Sequence, residues 1–175
     1  MDYDAGDDAF PAMPAKRPGF LQSYHSSQPD IPELPVEHRN TRDHYWNYGW
    51  PMSMEDVRAF LQVHRPRVLD NDGPTYFLLA AIGSHAAHTS DWFAIRHVLV
   101  EPMDTVNGLS EILTPDGRPA VSFFMVVSTA SEYYFQARPL KRHMAKLTEL
   151  FGKEPIWMKD AVEKKLWHEF YNFQV

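Results

Sequence analysis

Cysteine is absent from this 175-residue chain. Disulfides, thiolate-ligated zinc and a cysteine nucleophile are therefore excluded. A basic surplus is also missing: 17 Lys and Arg stand against 23 Asp and Glu, a net charge of −6. Neutralising phosphates needs the opposite balance, so the composition argues against a nucleic-acid partner. Glycine is scarce, at 8 residues. No glycine-rich phosphate loop and no Gly-x-Ser-x-Gly elbow occur, which disfavours P-loop, Rossmann and elbow-type hydrolase chemistry. Long apolar runs are lacking. Tyr76 to Gly83 and Ala120 to Val127 reach eight residues each, whereas a membrane span needs roughly 20. The acidic start, Met1 to Asp8, has none of the basic-then-apolar order of a secretory signal. With no cysteine, the expectation is an intracellular protein, cytoplasmic or nuclear, without a membrane partner.

What is present is enough to fold. Hydrophobic residues make up 44% of the chain, and 5 Trp, 8 Tyr and 11 Phe can fill a core. The length suits one ordinary domain.

The composition shifts near residue 38. Residues 1–37 hold Pro11, Pro14, Pro18, Pro29, Pro32 and Pro35. They also hold seven acids against Lys16 and Arg17, a net −5, so the remainder carries only −1. Proline fixes φ and removes backbone donors, and this stretch has no helical or strand period. We read residues 1–38 as an extended acidic Pro-rich arm and 39–175 as a single α+β domain.

Within the body, Tyr45, Trp46, Tyr48 and Trp50 crowd six positions, with Gly49 and Pro51 opposing a helix. Ser53 with Asp56 resembles a capping box, and Met54, Val57, Phe60 and Leu61 follow at helical spacing. A first helix is expected at 53–64, ending before Pro66. A second is expected at 74–88, apolar on most sides. Trp92 to Val100 reads as a strand, and Leu109 to Leu113 as a short one. Thr114-Pro115-Asp116-Gly117 is a hairpin turn leading into a central strand, Ala120 to Thr129. Glu132 to Ala137 suggests one more. Pro139 opens a helix closed by Gly152. Met158, Ala161, Val162, Leu166, Trp167 and Phe170 predict a final helix from Pro155. The fold expected is α+β: an antiparallel sheet of three to four strands, with two N-terminal and two C-terminal helices packed on one face.

Four residues are candidates for chemistry. His85 and His88 lie three apart at a helix end, with Asp91 just beyond and His97 on the next strand. Imidazoles suit acid–base work or zinc, but zincin spacing is four with a glutamate between, and here Ala86 and Ala87 intervene. The plainer reading is helix capping by His88 and a half-buried His85. No metal or cofactor is expected. Tyr45, Trp46, Tyr48 and Trp50 could stack a sugar, base or proline-rich peptide, or simply anchor the body in its core. Asp70-Asn71-Asp72-Gly73 fails as a calcium loop, because Leu79 falls where a bidentate glutamate is required. Arg138, Lys141, Arg142 and Lys146 suggest a basic stripe on which the acidic arm could lie.

Two functions follow. One is a non-enzymatic interaction or assembly module whose arm docks on a protein partner or another subunit. The other is a small-ligand-binding protein or enzyme with a pocket around His85, His88 and the 45–50 aromatics.

Overall fold

The computed structural model describes residues 42–70, 73–92, 95–103, 112–130 and 138–172. The arm at 1–38 and the strand expected at 132–137 lie outside the described residues, as do positions 109–111 of the short strand.

The described residues form an α+β fold with a five-stranded antiparallel sheet and four α-helices. The strands are β1 (His44–Met52), β2 (Arg96–Val100), β3 (Ile112–Leu113), β4 (Pro119–Ser128) and β5 (Ile156–Glu163). The helices are α1 (Met54–His64), α2 (Thr75–Ser90), α3 (Lys141–Phe151) and α4 (Lys164–Asn172). A single 3-10 turn, Pro66–Val68, follows α1.

Helix α1 starts where the capping pattern predicts. Asp56 N–H donates to Ser53 Oγ at 3.1 Å, and Ser53 N–H donates to Asp56 Oδ2 at 2.9 Å. Gly152 closes α3 in the left-handed region at φ 68°. The β3–β4 hairpin also forms. Gly117 takes φ 81°, Thr114 N–H donates to the Arg118 carbonyl and Arg118 N–H donates to Thr114 Oγ1, both at 2.9 Å.

Two strands depart from the sequence reading. The aromatic segment is β1, buried along most of its length. Residues 156–163, expected as the first half of a helix from Pro155, are β5. Met158, Ala161 and Val162 fit a helical stripe, but Met158, Asp160 and Val162 also alternate at period two. Pairing with β1 and burial of that face decide between the periods.

Strand β4 sits between β1 and β2: Phe124 is opposite both Trp50 and His97. Strand β5 borders β1 along its other edge and meets β2 at Val100 and Asp160. Strands β1, β4, β2 and β5 thus pair in a closed circuit. Helices α1, α2 and α3 cover one face, where Val57, Leu61, Ile82, Leu147 and Phe151 pack on Trp50, Phe124 and Val126. The other face carries Val98, Val100, Phe123, Met125 and Met158, and α4 covers it with Trp167 and Tyr171. So α4 lies opposite the other three helices, and the expectation of all helices on one face is corrected. Its Trp167 and Tyr171, four apart, follow the apolar face that the ring of strands presents.

Candidate functional site

The four chemistry candidates are not gathered at one place. His85 projects from α2 onto α1, its ring 4.9 Å from that of His64 and 5.7 Å from that of Phe60. Burial lowers its pKa, helped by the neighbouring His64 and Arg65. His88 is exposed and its Nδ1–H donates to the Ser84 carbonyl at 2.6 Å, the capping contact of the plainer reading. Asp91 ends α2 in the left-handed region, φ 56°, and pairs with Lys146 at 3.6 Å. His97 lies on β2 beside Phe124, and burial pushes its pKa down to about 4. Its Nε2 is buried with no hydrogen-bond partner among the described residues. No group of three metal-type side chains converges among the described residues.

Three of the four clustered aromatics are core, and Tyr45 is half-buried. Trp50 is fully buried, its ring 5.0 Å from Phe151, and its Nε1–H donates to the Lys153 carbonyl at 2.9 Å. Tyr48 packs on Trp157 at 5.3 Å, and Tyr45 meets Trp167 edge-on at 5.4 Å. Trp46 is 9% exposed. Trp46, Tyr48 and Trp50 thus fill the core, as a strand buried between two layers needs large apolar groups on both faces. The basic stripe is broken as well, because Arg138 is buried while Lys141, Arg142 and Lys146 stay outside.

Two features had no signal in the sequence. The first is a buried polar centre at Asp160, where β5 meets β2. Its Oδ1 accepts from Val162 N–H at 2.9 Å and from Tyr171 O–H at 3.1 Å. Its Oδ2 accepts from Asn47 Nδ2 and Trp167 Nε1, both at 2.9 Å. Burial pushes the carboxyl up to about 6, although all four hydrogen bonds favour its charged form. Tyr171 Oη also accepts from Leu99 N–H at 2.9 Å, which ties α4 to β2.

The second feature is a groove of about 1000 Å³ between α2, β2, β3 and α4. Helix α2 supplies Tyr76, Leu79 and Gly83; α4 supplies Trp167, Phe170 and Tyr171. Ile95 just before β2, His97 of β2 and Ile112 and Leu113 of β3 add to it, with Phe124 of β4 also lining it. Tyr76 is 62% and Leu113 57% exposed, large apolar groups facing water. Among the described residues that line it, Arg96 carries the formal charge. Of the four chemistry candidates, only His97 lines this groove; His85 and His88 do not.

The chain matches no family model, no curated protein and no solved structure. No helix among the described residues is long and apolar enough to cross a membrane.

Proposed function

We propose that this chain is a non-enzymatic interaction module whose α2–β2–β3–α4 groove receives an extended apolar polypeptide segment. One observation carries the reading: an aromatic-lined groove of about 1000 Å³ with Tyr76 and Leu113 left exposed at its edge. Large exposed apolar side chains beside a groove suit an interaction site, and aromatic grooves suit proline-rich extended segments. Among the described residues, His85, His88 and Asp91 point to separate places.

The test uses the absence of cysteine. Leu113→Cys in the full chain creates a single thiol at the groove for an environment-sensitive fluorophore. A Pro-x-x-Pro peptide with interleaved Ile and Leu is then titrated to millimolar concentration. We expect a saturable blue shift, absent for a scrambled peptide of the same composition. A flat response to both removes the reading.

A second reading, a small apolar ligand with one polar group, is favoured by His97, whose buried neutral imidazole lines the groove. Pockets of this size with few polar groups suit small molecules. A response to phenol-sized compounds that His97→Phe abolishes, with none to the peptide, would transfer the assignment to that reading.

A further inference from the structure

We infer that the groove contains a subsite at Gly83, Phe124 and His97 that takes the phenol ring of a tyrosine in the docked segment. This rests on the interaction reading above and names the side chain by which the segment is recognised.

Three observations meet at this place. The first is a polar atom without a partner. His97 lines the groove, and its Nε2 is buried with no hydrogen bond among the described residues. Leaving such an atom unmatched is unfavourable, and a partner brought by a ligand removes the penalty. Burial pushes the imidazole pKa down to about 4, so the ring is neutral at neutral pH. A carboxylate would therefore gain no ion pair here. A neutral imidazole carries its proton on one nitrogen or the other, so Nε2 either donates or accepts. A hydroxyl answers both tautomers, because it is donor and acceptor at once.

The second is a missing side chain. Gly83 lies inside α2 and lines the groove. Its φ is not positive, so no backbone conformation demands glycine there. A Cβ would meet only Phe124 Cε1 among the described residues, at 3.8 Å, an ordinary contact. Packing does not demand glycine either, and alanine is the better helix former. What glycine supplies is open space beside the Phe124 ring.

The third is the ring between them. Phe124 is opposite His97 in the β2–β4 register, with 5.9 Å between ring centroids. It adjoins both the gap and the imidazole. A guest ring in the gap meets Phe124 edge-on or offset, the arrangements aromatic pairs prefer. His97 is half-buried as a residue. A turn of its ring about Cβ–Cγ, an adjustment common on binding, brings Nε2 to the guest's substituent. Tyrosine is the side chain that joins a flat ring to a hydroxyl.

The test uses the labelled Leu113→Cys chain and the Pro-x-x-Pro peptide with tyrosine at one leucine position. Its twin carries phenylalanine at that position, each leucine is replaced in turn, and p-cresol stands for the free ring. We expect the best tyrosine peptide to bind about fivefold tighter than its twin, the worth of one neutral hydrogen bond. In His97→Phe the twins should bind alike. In Gly83→Ala the tyrosine peptide should weaken at least about threefold, while the thermal midpoint does not fall. Equal binding of the twins to the unaltered chain overturns the phenol subsite and leaves the groove reading standing. A tyrosine preference that survives His97→Phe, or tyrosine binding untouched by Gly83→Ala, overturns it too. Should His97→Phe not fold, the twin comparison and Gly83→Ala decide alone. Binding of p-cresol without any peptide binding overturns tyrosine as the source and gives the subsite to a free phenol. A flat response to every peptide, the leucine one included, removes the groove reading itself.

Discussion

Two buried residues, Asp160 and His97, hold titrations displaced in opposite directions. Asp160 is held protonated up to about 6 in the folded chain, against 3.8 in its ordinary state. Between those values the native state binds more protons than the unfolded one. Its contribution is therefore fully present below 3.8 and is lost as pH rises through about 6. His97 is held neutral down to about 4, against 6.5. Its contribution is present above 6.5 and is lost as pH falls towards 4. Each displacement is worth about 3 kcal/mol at 1.36 kcal/mol per pKa unit. Across pH 4–6 the two slopes oppose each other. Denaturant titrations at intervals of pH should show stability falling more steeply with pH in His97→Phe than in the unaltered chain. In Asp160→Asn stability should rise more steeply instead. The same slope in all three chains would refute the assignment. Tyr171→Phe tests the network from its other end, since it leaves Leu99 N–H without its acceptor. Loss of about 1–3 kcal/mol is expected, read from the shift of the denaturant midpoint.

At the scale of elements, the fold was legible where a local device determines the backbone. The Ser53–Asp56 box predicts the start of α1 because both reciprocal bonds lie within one turn of chain. Asp116-Gly117 predicts the hairpin because Gly117 must take positive φ. Substituting Ser53 by Ala should cost about 1 kcal/mol of thermal or chemical stability. What misled the reading was β5. Its apolar positions satisfy two periods, and only the partner strands select one. The same limit hid the site. Asp160 sits in a stretch whose apolar spacing also fits a helix, yet it lies at the junction of two strands, and the groove draws on residues from Thr75 to Tyr171 that no short window brings together. Gly49 shows a third kind of constraint. A Cβ there would run into the Phe124 carbonyl, where the β1–β4 register shifts between Tyr48 and Gly49. Backbone cannot yield as a flexible side chain does. Gly49→Ala should cost about 3 kcal/mol or more, the upper part of the range for overpacking, and a midpoint unchanged from the parent would show that the strands can separate.

For the whole molecule, the closed pairing of β1, β4, β2 and β5 makes β4 the element with most to lose. It is paired on both edges, to β1 over Ser122–Ser128 and to β2 over Val121–Met125, and both of its faces are buried. Its amides open only when β1 or β2 detaches, which exposes both hydrophobic layers at once. Helix α4 is held differently. Trp167 and Tyr171 anchor it through Asp160 and Leu99, while Lys165, Leu166, His168 and Glu169 are exposed. Local opening free energies follow the buried apolar contact and solvent exposure of each unit. Native-state hydrogen exchange should therefore find the slowest amides at Phe123 to Val126, exchanging only with global unfolding. The amides of α4 should exchange through a smaller, separate opening. Tyr171→Phe should speed exchange across α4 beyond its effect on global stability, because the bond it removes joins that helix to β2. Equal acceleration in α4 and β4 would mean instead that the helix and the sheet open as one unit.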